Sequence, residues 1–315
     1  MQKSLPFIEP LDHGVYVIDT GFVRPRFDAS HLIVEQGRAA FVDTGTNHAV
    51  PRLLEALESL GLARDAVDYV IATHVHLDHA GGAGALLQHL PSARLVVHPL
   101  GARHLVDPSR LMASARAVYG ATEVERSYGE LVSVPRECVI ETHDGMALGL
   151  AGRLLQFIHT PGHARHHHCI WDERSRGIFT GDTLGVAYPE FSSDRGVWLI
   201  PATPPTQFDP AALRASVQRL LALDAQRVYL THYGEVTSVP NLAATFLARL
   251  EAMVELGASV RTHAQRVPAL RFGLAELYRA WLREHACLLD EAQALHLLSI
   301  DIDINAQGIH SWLDG

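Results

Sequence analysis

Apolar residues in the first part of the chain fall into short runs broken by turn residues, a pattern of strands rather than long helices. Val15 to Asp19, His31 to Glu35 and Ala39 to Val42 read as strands, with Gln36-Gly37 as the turn between the last two. The period then changes. From Pro51 to Leu60 the residues Leu53, Leu54, Leu57 and Leu60 share one helical face; Pro51 suits a first turn and Gly61 the position past the end. Val67 to Thr73 is an apolar run of the buried-strand kind, Ala83 to Leu90 reads as a helix and Arg94 to His98 as a strand. The stretch 101–135 reads as helical and loop-rich, placed to cover a site. Three more strands, Leu154 to His159, Gly177 to Thr180 and Arg227 to Leu230, each run into a polar motif: Thr160-Pro161-Gly162-His163, Gly181-Asp182 and Thr231-His232. Chemistry at the carboxyl ends of successive strands is the habit of α/β folds. Tyr188 to Asp209 reads as irregular, and from Asn241 the pattern turns leucine- and alanine-rich, with helical pieces near 241–257, 272–286 and 290–299. The expected organisation is an α/β catalytic domain over 1–240 and a helical annex over 241–315.

Composition narrows the function. With 315 residues, 48% apolar and 19% charged, the chain can bury a sizeable core. A formal charge of −9 argues against a nucleic-acid partner, which ordinarily leaves a basic footprint. Three scattered cysteines, no apolar leader at the N-terminus and no run long enough to span a membrane lead to the expectation of a cytoplasmic protein with no membrane partner. The 20 histidines are the unusual number, and their spacing has to decide which of them matter.

His74-Val75-His76-Leu77-Asp78-His79 puts three imidazoles and a carboxylate in six residues, directly after an apolar strand and before Ala80-Gly81-Gly82. On a tight loop, positions i and i+2 can face one metal while i+4 and i+5 face a second. Imidazole with carboxylate suits Zn, Fe or Mn, and this donor set leaves the metal open.

Taken with the later motifs, the chain resembles the metallo-β-lactamase superfamily, on its glyoxalase II-like, lactonase and thioesterase side. The resemblance rests on Asp43 in Val42-Asp43-Thr44-Gly45, the complete His74 to His79 motif, His163, Asp182 and His232 in Leu230-Thr231-His232-Tyr233-Gly234. It implies an αββα sandwich and two divalent ions. His74, His76 and His163 would bind the first, Asp78, His79 and His232 the second, and Asp182 would bridge them. Asp43 would orient the ligand loop without binding metal. The implied activity is hydrolysis of a small-molecule ester, thioester or lactone by a metal-bridging hydroxide, with Asp78 and Asp182 as the catalytic carboxylates. The stretches Gly101 to Pro108 and Pro201 to Pro205 resemble an uncharacterised subgroup of the same superfamily.

Further candidates for substrate contact are His167, Tyr188, Arg165 and Arg195, each weighed against an ordinary structural or solvated role. A mononuclear iron persulfide or thiol dioxygenase, a phosphodiesterase and a metal-bearing effector are the competing functions. The apolar faces of the annex leave a homodimer open. A basic motif like the glutathione site of glyoxalase II is not matched in the annex, and β-lactam hydrolysis is disfavoured by the expected compartment.

Overall fold

The computed structural model describes residues 5–315; residues 1–4, where the reading for a leader begins, and the side chains of Val118 and Tyr119 lie outside that description. Among the described residues thirteen strands form two sheets. The first holds, in spatial and chain order, β1 Ile8–Pro10, β2 Val15–Asp19, β3 Ala29–Glu35, β4 Arg38–Val42, β5 Val67–Ile71, β6 Arg94–Val97 and β7 Val139–Glu141. Its pairs run antiparallel up to β4 and parallel from β4 to β7. The second holds β8 Ala147–Leu150, β9 Arg153–His159, β10 His168–Asp172, β11 Gly177–Gly181, β12 Arg227–Leu230 and β13 Gly234–Thr237 in the order 13-12-11-10-9-8, with β11 and β12 parallel. The Gln36-Gly37 turn is real: both residues take positive φ (45° and 78°), the handedness a two-residue hairpin needs.

The helices are α1 Val50–Ser59, α2 Leu77–Ala80, α3 Ala83–Leu87, α4 Pro99–Val106, α5 Ser109–Tyr119, α6 Ala121–Ser127, α7 Pro210–Leu221, α8 Val239–Ser259, α9 Arg266–Glu284, α10 Glu291–Leu297 and α11 Ser299–Asp314. These are the layers of an αββα sandwich with C-terminal helices. Two compact units are distinguished. The first comprises Met1–His159, His166–Gly181 and Gln226–Glu235; the second comprises Thr160–Arg165, Asp182–Ala225 and Val236–Gly315. The helices after residue 240 therefore belong to the same unit as the segment Asp182–Ala225.

In the first unit, Val42, Ile71 and Val96 share one core with Phe157, Ile170 and Phe179 of the opposite sheet. Leu53 and Leu57 of α1 and Leu86 of α3 join Phe41, Val70 and Leu95 in a second core on the outer face of the first sheet. The alternation of β4 accounts for both, since Ala40 and Val42 point one way and Phe41 the other.

The structure adds elements that the pattern does not announce. Helix α11 is the clearest: Ile300, Ile302 and Ile304 alternate with polar residues, a period of two. Its buried positions Ile302, Asn305, Ala306 and Ile309 nevertheless follow helical spacing, so packing overrides a weak local preference. Helix α7 is likewise not announced by the pattern, whereas strand β10 opens on His168 with Cys169 buried, in keeping with the reading of the histidine run as a strand start. Among the described residues no helix is long and apolar enough to cross a membrane.

Arg153 and Asp172 form a buried ion pair in the first unit. Arg153, fully buried, donates from Nε to Asp172 Oδ1 at 2.9 Å, from Nη2 to Asp172 Oδ2 and from Nη1 to the His13 carbonyl at 2.6 Å. Removing one partner of such a pair strands the other, so Arg153→Met is expected to lower the unfolding free energy by about 3–5 kcal/mol in urea titrations; a loss below about 1 kcal/mol would show that the pair is not holding the sheets. His31 gives a pH signature. Burial lowers its pKa from 6.5 to about 4. Only the unfolded chain then takes up this proton between those values, so stability should fall as the pH drops from 6.5 to 4, by about 3 kcal/mol from this residue. Urea midpoints measured across that window should flatten in His31→Leu, and an unchanged slope refutes the assignment.

Candidate metal centre

Strand β5 ends at Ile71 and delivers Thr73 and His74 into a tight loop, after which His76 precedes the short helix α2 that carries Asp78 and His79. The loop closes on glycines because nothing larger fits. A Cβ on Gly82 would lie 2.9 Å from the Thr46 carbonyl oxygen, and one on Gly81 would lie 2.2 Å from that of Leu77.

Behind the loop sits Asp43, completely buried, with φ of 57° at the end of β4. Its Oδ1 accepts from the Thr73 backbone N–H at 2.8 Å. Its Oδ2 accepts from the hydroxyls of Thr73 (2.9 Å) and Thr231 (2.8 Å) and from His79 Nδ1 (2.8 Å). A carboxylate has only acceptors to offer, so His79 carries its proton on Nδ1 and turns the lone pair of Nε2 the other way. The Thr73 hydroxyl spends its one hydrogen on Asp43 and therefore accepts from His74 Nδ1 at 3.1 Å, which fixes the same tautomer there. His232, two residues past β12, donates Nδ1–H to the Phe27 carbonyl at 2.8 Å, again leaving Nε2 as the acceptor.

These nitrogens converge. His74 Nε2 lies 2.8 Å from His76 Nδ1, and Asp78 Oδ2 lies 3.6 Å from His232 Nε2 and 4.0 Å from His79 Nε2. One donor atom from each of Asp78, His79 and His232 falls within 4.8 Å of the other two, which fits a metal ion. His76 and Asp78 are half-buried while His74 and His79 are buried, so the cluster opens on the His76 and Asp78 side.

The other two residues of the expected ligand set, His163 and Asp182, belong to the second unit. His163 donates Nδ1–H to the Ala202 carbonyl at 3.1 Å and sets Nε2 3.3 Å from Asp182 Oδ2. The loop before it is clamped by α7: Asp209 N–H donates to the Gly162 carbonyl at 2.8 Å, and Ser216 donates to the Pro161 carbonyl at 2.7 Å. At Gly162, with φ of 135°, a Cβ would lie 2.3 Å from the backbone of Leu213, so α7 can approach only a glycine.

His167 is completely buried in the first unit, its ring centroid 4.9 Å from that of His74. Tyr188 is buried in the second, its hydroxyl donating to Asp301 of α11 at 3.0 Å. Arg165 and Arg195 are exposed. The backbone of Arg165 donates to Gln207, and the guanidinium of Arg195 donates to the Glu284 carbonyl at the end of α9.

Two neighbours of the cluster lie outside the expected ligand set: His166, which the sequence marks only as part of the run His166-His167-His168, and Asp28. His166 accepts the Val75 N–H on Nδ1 at 3.4 Å; burial first, then His76, lowers its pKa to about 3. Asp28, buried and bonded to the Thr20 hydroxyl, is pushed up to about 7 by burial against the opposing pull of His232 and His79. A lone Asp ahead of a strand belongs to no motif, and only the three-dimensional contacts single it out.

A family model described as the Metallo-beta-lactamase superfamily matches residues 7–232. The chain is 30% identical over 252 residues to the metallo-beta-lactamase fold-containing protein ST1585 of Sulfurisphaera tokodaii, covering 78% of this chain and 88% of that one. It is 29% identical over 303 residues to a hydroxyacylglutathione hydrolase of Xanthomonas campestris pv. campestris, covering 92% and 96%. The solved metallo-beta-lactamase family protein TTHA1429 from Thermus thermophilus superposes with a TM-score of 0.66 at 23% identity, over 96% of this chain and 93% of that one, a likeness of fold.

Asp43 makes the first testable claim about this centre. Asp43→Asn puts a carboxamide where four donors meet, releasing the tautomers of His79 and His74. Metal affinity, read by competition with a chromophoric chelator, is expected to fall about 10- to 100-fold, and an unchanged affinity would refute the orienting role.

Proposed function

The chain belongs to the metallo-beta-lactamase superfamily, and from that premise we propose a metal-dependent hydrolase that acts on an ester, thioester or lactone of a small molecule. The observation that carries the reading is the shared tautomer. His74, His79, His163 and His232 each spend Nδ1–H on an acceptor of the protein and keep Nε2 for a cation. Fixed imidazoles suit ligation, where a ring must hold one lone pair in one direction. Following the order of the family's motifs, the proposed donors are His74, His76 and His163 for one ion and Asp78, His79 and His232 for another, with Asp182 shared. Nitrogen and carboxylate donors without thiolate suit zinc, with iron or manganese as alternatives.

Two divalent ions bound there supply polarisation of the scissile carbonyl and a water of lowered pKa. The protein's own groups do the rest. Asp78 and Asp182 are the only carboxylates of the donor set, so they offset part of the cationic charge and leave a field suited to a developing oxyanion. Thiol ester substrates gain support from the hydroxyacylglutathione hydrolase relative, whose alignment extends over 92% of this chain.

The test is to reconstitute the protein with zinc and offer thioesters, lactones and phosphodiesters in parallel, with an oxygen electrode running. Turnover of a thioester, ester or lactone without oxygen uptake is expected, together with a loss of about 100-fold or more in Asp182→Asn. Oxygen consumption with a thiol or persulfide points instead to the iron dioxygenase, and phosphodiester cleavage to that class. No turnover of any kind with the metal sites filled overturns the hydrolase reading and leaves the effector.

A further inference from the structure

We propose that the C-terminal helix α11 positions His163 through Asn305, which makes Asn305 a positioning residue for the metal centre; the link to metal rests on the reading of His163 as a ligand. Asn305 is buried in the second unit, 2% exposed, and every hydrogen-bonding group of its amide is engaged. Its Oδ1 accepts from the Thr203 N–H at 2.7 Å and from the Thr203 hydroxyl at 2.9 Å. Its Nδ2 donates to the Pro201 carbonyl at 3.0 Å and to the Tyr278 hydroxyl oxygen at 2.7 Å. Asn305 thus holds the chain on both sides of Ala202.

The peptide between Ala202 and Thr203 is trans, so its C=O and N–H point in opposite directions. With the Thr203 N–H committed to Asn305, the Ala202 carbonyl must face the other way, and there it meets His163 Nδ1 at 3.1 Å. One rigid plane therefore carries the orientation of Asn305 to His163, and donation at its N–H end makes the carbonyl end a better acceptor. His163 in turn sets Nε2 3.3 Å from Asp182 Oδ2. Helix α11 is locked against this loop at Gly308, where a Cβ would lie 1.7 Å from the Thr203 carbonyl oxygen. The Pro201 to Pro205 stretch, conspicuous in the sequence, thereby gains a structural role as the strap between α11 and His163.

The side chain that could be mistaken for part of the same effect supplies the control. Tyr278→Phe removes one partner of Asn305 Nδ2 and should lower stability, but it leaves the Thr203 N–H bond in place. Asn305→Leu, of similar size, removes that bond. The first readout needs no metal. In full-length apoprotein labelled with ¹⁵N-histidine, long-range ¹H–¹⁵N spectra report which ring nitrogen carries the proton, with the His163 signals assigned by their loss in His163→Gln. The parent and Tyr278→Phe should show His163 protonated on Nδ1, and Asn305→Leu should show that tautomer lost or mixed. The second readout is zinc affinity by chelator competition. The weaker of the bound ions should be released about 10- to 100-fold more readily in Asn305→Leu, with no change in Tyr278→Phe. Should Asn305→Leu fail to fold, Asn305→Ser, too short to reach Thr203, carries the same expectations.

A His163 tautomer unchanged in the Asn305 variant, or shifted equally in Tyr278→Phe, overturns the proposal, because general loosening then explains everything. A tautomer switch in Asn305→Leu, where the parent protein binds no zinc, supports the positioning role while removing the metal reading beneath it.

Discussion

The first compact unit is organised around one buried carboxylate. Strand β4 stops at Asp43, and the segments that follow β5 and β12 each bring a threonine to it. Sequestering that group from water costs free energy unless its lone pairs are filled, and four donors fill them. Every donor is attached to something that matters: Thr73 precedes His74, Thr231 precedes His232, and His79 is itself in the cluster. The requirement to satisfy Asp43 therefore sets where three strand ends lie relative to one another and which way the proposed ligands face. A positive φ at Asp43 is tolerated because aspartate adopts that region more readily than most residues.

What reads out from the sequence is what short-range chemistry writes there. The motif of His74 to His79 follows the five-residue strand β5, and His163, Asp182 and His232 each stand just past a strand. Strand ends are where a side chain can leave the ladder, so periodicity and motif point to the same places. The groups that fix the histidines are less visible. Asp43 is legible because a carboxylate after a strand can be matched to a family motif. The carbonyls of Phe27 and Ala202 are not, because every residue has one and only the fold selects which of them an imidazole meets. Asn305 is hidden for a further reason: the start of its helix reads locally as alternating isoleucine and aspartate, while its buried positions follow helical spacing.

The second unit shows why an appended helix need not be an accessory. Asn305 bridges α11, the strap at Pro201 to Thr203 and Tyr278 of α9. A fully satisfied buried amide is a rigid joint, while one left with a missing partner carries the desolvation cost of every unmatched group. The same bonds that hold these helices together thus extend to His163 through the peptide between Ala202 and Thr203.

Two buried aspartates of the first unit, finally, illustrate how structure and site differ in their chemistry. Asp172 is met by the guanidinium of Arg153, a cation that returns both oxygens a hydrogen bond and balances the charge on the spot. Such a pair has nothing left for a ligand. Asp43 is met by an amide, two hydroxyls and an imidazole, none of which needs to carry a charge. Through His79 it fixes which ring nitrogen carries the proton and turns the other towards the cluster. An aspartate meant only to join strands would be better served by an arginine, as at Asp172. The choice of hydroxyls and a histidine at Asp43 makes sense where a cation is expected on the far side of the ring.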